Sequence, residues 1–193
     1  MIEAFRRRPF TEQALWISAL ASAALLAGAH LFEAFGKLPP CALCLDQREA
    51  HWTALGVAAA GLFSHLVLKA RLAAAAAAGA AALVYAVSAG LAFFHTGVEF
   101  GYWPGPATCS GHAIVDAADG LAAALGQKPA APSCEDAFWR LFGISMAGYN
   151  LMASAGLFAL TAAAALGAAR TARNARRPTV NGEAAASHPE TRP

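Results

Sequence analysis

Charge is what this chain has least of. Only 13% of its 193 residues are Asp, Glu, Lys or Arg, about half the share that a soluble domain of this size carries. A water-facing globular surface is hard to build from so few charges. The shortage is also uneven. Gln13–Phe32, Ala50–Leu68, Leu72–Val98 and Leu141–Ala169 contain no Asp, Glu, Lys or Arg at all. Each is long enough to cross a hydrocarbon core as a helix. An open strand could not, because its backbone groups would lack partners in lipid. Four such runs exceed what the buried helices of a soluble bundle need. The third contains Ala73–Ala78. Alanine forms helix well but is weakly hydrophobic, so this is the weakest span, although its small side chains let neighbouring helices approach closely. The net charge of +2 carries no signal for nucleic acid.

Ahead of the first run stand Arg6, Arg7 and Arg8. They have the look of a signal-peptide basic region, and Arg7–Phe10 has a faint look of a twin-arginine signal. The apolar run that follows is longer than the 7–15 residues of a cleaved leader, so it reads as an uncleaved anchor.

Acids are missing from the link between the second and third runs, which holds Lys69 and Arg71. With Arg6, Arg7, Arg8, Arg170, Arg173, Arg176, Arg177 and Arg192, one face takes ten of the 14 basic residues. The other face has Lys37, Arg48, Lys128 and Arg140, offset by Glu33, Asp46, Glu49, Glu99, Asp116, Asp119, Glu135 and Asp136. The positive-inside rule therefore predicts cytoplasmic termini. The expected architecture is an all-α membrane protein with a four-helix transmembrane bundle. Residues 1–12 form a cytoplasmic N-terminal segment and 13–169 the membrane domain, with helices near 13–35, 41–68, 71–95 and 141–169. A long outer loop covers 96–140, and 170–193 read as a disordered cytoplasmic tail. Beyond two helical hairpins there is no internal repeat.

Cysteine is scarce too, at four residues. Cys41, Cys44, Cys109 and Cys134 all fall on the outward face, the oxidising side of a bacterial envelope. Cys41-Ala42-Leu43-Cys44 follows Pro39-Pro40, and proline suits the start of a helix. Two cysteines three apart in a first turn share a face at a separation that a disulfide can bridge. A helix N-terminus also favours a thiolate. Arg48, one turn deeper, either snorkels to the headgroups or stabilises the Cys44 thiolate and donates to an anionic or carbonyl ligand. Cys109 and Cys134 have two readings: a structural staple contributing about 3.5 kcal/mol, or a second exchangeable disulfide in a mobile loop rich in Pro and Gly. Between them, Ala113–Leu125 has the makings of a short amphipathic helix on the membrane surface. Tetrathiolate zinc sites show two close pairs, and only Cys41 and Cys44 have that spacing, so no metal is expected.

The stretch Pro40-Cys41-Ala42-Leu43-Cys44-Leu45-Asp46-Gln47-Arg48 resembles the motif of the disulfide bond formation protein B family, DsbB. So do His95-Thr96-Gly97-Val98-Glu99, Trp103–Cys109, Cys134 with Trp139, and Gly143–Asn150. The likeness covers most of residues 14–165. It implies a quinone-dependent protein dithiol oxidase in the bacterial inner membrane, with its cysteines on the periplasmic side. By likeness, a reduced DsbA-like thioredoxin-fold protein attacks a Cys109–Cys134 disulfide at Cys109. Cys134 then attacks Cys41, Cys44 becomes a thiolate, and electrons pass to ubiquinone or menaquinone. Each exchange is thiolate attack on sulfur and needs a good leaving thiol. Arg48 then hydrogen-bonds a quinone oxygen. Gln47 stands where some members carry an acid. His95 either helps protonate the reduced quinone or is a polar interfacial histidine. His30, His51 and His65 read as interfacial or packing residues, and Glu99 and Trp103 as headgroup anchors of the loop. The quinone pool, a periplasmic thiol partner and the bilayer are thus the expected partners, with no nucleic acid and no metal.

Three rivals stay open. One is a sister-branch oxidase with a dedicated client. Another is a non-enzymatic membrane scaffold with structural disulfides. The third, a vitamin K epoxide reductase-like protein, ranks lower, because that family places its Cys-x-x-Cys near the end of a late helix.

Overall fold

The computed structural model describes residues 2–106, 109 and 133–175. A short helix α1, Ile2–Arg6, ends before Pro9. Proline has no N–H and a fixed φ, so it can open a helix but not sit inside one. The long helix α2, Phe10–Ala34, starts directly after it. Lys37 has a positive φ of 51°, and Leu38–Pro40 carry the chain past the bundle without regular structure. Helix α3, Ala42–Leu66, then begins on Cys41. Lys69, with φ of 56°, makes the tight turn into α4, Arg71–Glu99. After the outer segment come β1, Arg140–Leu141, and β2, Ile144–Ser145, followed by α5, Met146–Ala175.

Among the described residues, three helices, α2, α4 and α5, are long and apolar enough to cross a membrane. Helix α3 has the same length as α2, but Asp46, Arg48 and Glu49 lie in its first turns, and its charge-free part begins at Ala50. The described residues are thus mostly helical, as the charge-free stretches predict.

Three boundaries differ from expectation. Helix α4 runs on to Glu99 instead of ending near residue 95. The last long helix starts at Met146, not 141, because Arg140 and Leu141 pair antiparallel with Ser145 and Ile144. Phe142 and Gly143, at φ of 50° and 79°, supply the two left-handed positions of that two-residue turn. Helix α5 continues to Ala175, so the first residues of the expected tail are helical. The helix expected over 113–125 and the tail beyond 175 lie outside the described residues.

Helix α4 packs most extensively on α5 and α3, and α2 packs mainly on α3 and only slightly on α5. The seam between α2 and α5 is therefore the open side of the bundle. Near the end remote from the cysteines, Ala14, Leu15, Ala58, Leu62, Ala74, Ala78 and Ala164 form a buried cluster. A Cβ on Gly61 would lie 2.7 Å from the Ala77 Cβ and 3.0 Å from a Leu15 methyl. Small residues are what allow three helices to meet there.

Candidate functional site

The site is built on the opening of α3. Pro39 and Pro40 cannot donate to a helical ladder, and the first helical N–H groups need another acceptor. Cys41 is the N-cap, and its Sγ accepts the Cys44 N–H at 3.3 Å. Cys41 is buried, Cys44 is half-buried, and both are free thiols. Cys109 and Cys134 form a disulfide whose cysteines are 0% and 1% exposed. The Cys109 N–H donates to Pro106 O, and the Cys134 N–H donates to Cys109 O. Trp103 lies against α4 beside this loop, donating from Nε1 to Phe94 O at 2.8 Å and stacking on the Phe94 ring. That contact needs Gly97, because a Cβ there would sit 2.0 Å from the indole.

The two pairs do not stand apart. Cys41, Cys109 and Cys134 share one buried cluster with Leu43 and Val98, and Cys44 packs against it. The sulfurs of Cys41 and Cys134 and a ring nitrogen of His95 all lie within 4.8 Å of one another. Three such donors have the spacing of a metal site, but here the Cys134 sulfur is already bonded to Cys109.

Cys41 and Cys44 precede the charge-free part of α3, and their thiols are pushed in opposite directions. Cys41 is held up as a thiol, first by its hydrogen bond to Cys44 and then by burial. Cys44 is lowered to about 7. The hydrogen bond from Cys41 is the main cause, Arg48 adds a smaller favourable charge, and burial opposes both. One negative charge shared by two sulfurs therefore rests on Cys44.

Arg48 faces α2, where Nη1 donates to the Glu33 carboxylate at 2.5 Å and Nη2 donates to Ala29 O at 3.3 Å. Its side chain is 15% exposed. It is therefore bridged between α3 and α2 at the edge of the seam. The charge pattern puts Glu33 on the cysteine side of the membrane but does not reveal this pairing.

Behind the cysteines lies a chain of buried and half-buried hydrogen bonds. His95 Nε2 is 3.7 Å from Cys41 Sγ. Gln47 Nε2 donates to His95 Nδ1 at 2.9 Å and to Leu43 O at 3.0 Å. Gln47 Oε1 accepts from Asn150 Nδ2 at 2.6 Å, and Asn150 Oδ1 meets His51 Nε2 at 2.7 Å. His51 Nδ1 meets Ser22 Oγ at 3.1 Å, and Ser22 and Ser18 both bond the Tyr85 hydroxyl at 2.8 Å. All four long helices contribute. His51 is thus a bonded member of a network, and Asn150 is its hub. Glu99 bonds the Ser145 hydroxyl and lies 3.9 Å from His95, so it is buried against β2 instead of anchoring the loop at headgroups. Away from the site, His65 lies 3.4 Å from the buried Glu12, and His30 stays half exposed. A signal for the network was present in the sequence. Gln47 and His51, Ser18 and Ser22, and Asn150 and Ser154 are pairs four apart within apolar helices, so each shares a face.

A cavity of about 480 Å³ opens along the α2–α5 seam. Its walls are apolar, with Leu25, Ala29 and Phe32 on one side and Met146 and Ala147 on the other. Its inner side carries Cys41, Cys44, Gln47, Arg48, His51, His95 and Asn150. An apolar slot with a few convergent donors suits a flat apolar molecule bearing acceptor oxygens. The structure thus brings Cys41, Cys44, Gln47, Arg48 and His95 to one cavity and sets Cys109 and Cys134 against its cysteine end.

A family model described as "Disulfide bond formation protein DsbB" matches residues 11–164. No curated protein and no solved structure matches the chain.

Proposed function

Since that match spans well over half of its length, the chain belongs to the DsbB family of disulfide oxidoreductases, and from this premise we propose that it reoxidises a periplasmic DsbA-like dithiol and delivers the electrons to membrane quinone. The observation that carries the reading is the buried contact between the two cysteine pairs, with Cys134 and Cys41 sulfurs within 4.8 Å.

The steps balance as disulfide exchange. The partner's thiolate attacks Cys109, breaks the Cys109–Cys134 bond and frees the Cys134 thiolate. Cys134 attacks Cys41 of a Cys41–Cys44 disulfide and releases the Cys44 thiolate. The partner's second thiol resolves its bond to Cys109 and leaves as a disulfide. Cys109 then attacks Cys134 and releases Cys41. Net, two thiols of the partner are oxidised, and Cys41 and Cys44 are reduced. The present state, with a bridged outer pair and a free inner pair, is the one that follows this sequence. Because Cys109 is buried, the partner must first uncover it.

When bound, a quinone supplies the two-electron acceptor that returns Cys41 and Cys44 to the disulfide. The cavity residues fit such a group: apolar walls for the ring and tail, and Arg48 as a donor for its oxygens. Arg48 is held at the mouth by Glu33, and Cys44 is the sulfur best able to carry charge toward that mouth. The α3 stretch from Ala50 to Leu66 completes a fourth span, with both termini in the cytoplasm and the cysteines in the periplasm. This placement rests on the basic residues at the far end.

Trapping tests the contact. With Cys44→Ala and Cys109→Ala, the two remaining cysteines form a Cys41–Cys134 disulfide during purification, seen by peptide mass spectrometry. Free thiols at both positions under air would overturn the exchange path.

A further inference from the structure

The buried chain has a direction. A glutamine amide presents a donor on one side and an acceptor on the other. Asn150 donates to Gln47 Oε1 at 2.6 Å, which fixes that oxygen away from His95. Gln47 Nε2 must then face His95 Nδ1, at 2.9 Å, with Leu43 O taking its second hydrogen. An Nδ1 that accepts belongs to the imidazole tautomer protonated at Nε2. Nε2 faces Cys41 Sγ at 3.7 Å, with the Cys134 backbone beside it and Glu99 Oε1 at 3.9 Å. The same logic fixes His51. Asn150 Oδ1 can only accept, so His51 Nε2 carries the hydrogen at 2.7 Å, and Nδ1 accepts from Ser22 at 3.1 Å.

We propose that Asn150 and His51 are positioning residues that lock Gln47, and through it lock His95 as an N–H donor aimed at the Cys41 sulfur. In the proposed exchange Cys41 departs as a thiolate when Cys109 reclaims Cys134, and it is buried, so a donor at that point stabilises the leaving sulfur. The buried Gln47, His51 and His95, with the half-buried Asn150, are costly in an apolar helix bundle unless paired, and here each pairing specifies the next. The inference rests on Cys41 being an exchanging sulfur. It requires neither quinone nor the partner protein in its test.

The test measures alkylation of Cys41 by iodoacetamide across pH in the full chain carrying Cys44→Ala, with Cys109–Cys134 verified as bridged by mass spectrometry. Cys41 is then the single free thiol. The charged and titratable groups that line the same cavity are Arg48 from α3, His95 and Glu99 from α4, Asp136 before β1 and Tyr149 from α5, while Glu33 of α2 pairs with Arg48. Only His95 is altered below, and only in the reference variant. His95→Phe sets the full effect of losing the donor. Asn150→Leu and His51→Phe shift the midpoint pH for Cys41 alkylation upward by about half a unit to one unit, a partial loss of a hydrogen bond to a charged atom. His51→Gln restores the parent midpoint, because its amide can donate to Asn150 and accept from Ser22 without titrating. A merely structural role changes the melting temperature and leaves the midpoint alone. If His51→Phe does not fold, Asn150→Ser carries the same test. Midpoints equal to the parent in folded Asn150 and His51 variants, while His95→Phe shifts, would overturn the lock. An unshifted His95→Phe would overturn the donor itself. Failure of the quinone reading would show instead as absent quinone turnover with these midpoints intact.

Discussion

The two ends of the bundle are built from opposite materials. At the cysteine end, helices α2 and α5 stand apart, a cavity of about 480 Å³ opens between them, and its inner wall is lined with hydrogen-bonding side chains. At the other end, alanines from α2, α3, α4 and α5 close the bundle, and Gly61 leaves no room even for a methyl group. Tight packing and chemistry are thus segregated along the same helices. The alanine end fixes helix spacing. The cysteine end uses that fixed spacing to hold two cysteine pairs, a tautomer-specific network and an open slot in register.

Substitutions at either end probe this division of labour. The largest effect is expected from Cys44→Ala, which reduces dithiol-dependent quinone reduction to background while circular dichroism and melting in detergent stay near the parent. A pH series comes next. Cys44 is a thiolate above about 7 and a thiol below it. Its alkylation therefore slows about tenfold for each pH unit below that midpoint and levels off above, as followed by site-resolved mass spectrometry. Gly61→Leu acts at the other end. It overpacks a junction where even a Cβ would lie 2.7 Å from the Ala77 Cβ, and it lowers stability by about 1–3 kcal/mol. The Cys44 midpoint stays where it was, and a shift there would show that the two ends are not separate. Arg48→Ala has the smallest effect, raising the apparent quinone KM by about tenfold, the loss of one charge-assisted hydrogen bond. Unchanged kinetics would return Arg48 to a snorkelling and helix-bridging role with Glu33.

Much of this was legible in the sequence, for reasons that differ by region. The long helices were visible because lipid excludes charge, so the empty stretches mark them directly. Their ends were less visible. Leu141 counted as part of the last span, yet Phe142-Gly143 turns the chain into a hairpin first. The turn needs two left-handed residues, and only the glycine advertises that need. The cysteine pairs were visible as a motif, whereas their buried contact depends on how the outer segment folds back over α4 beside Trp103. His51 and Asn150 were hardest to place. A polar residue inside an apolar run looks the same in sequence whether it faces headgroups or another helix, and only the packing of α2, α3 and α5 decides it. The same holds for Arg48, whose partner Glu33 lies on a different helix.

The proposed electron path from dithiol to quinone is tested in one assay, with the purified chain in detergent, a soluble ubiquinone analogue and a reduced DsbA-like dithiol, by recording quinone absorbance. Quinone loss is expected to require both the dithiol and Cys44, with one disulfide formed in the partner per quinone consumed. Quinone that binds yet stays oxidised in the presence of the dithiol, or turnover that survives Cys44→Ala, would contradict that path.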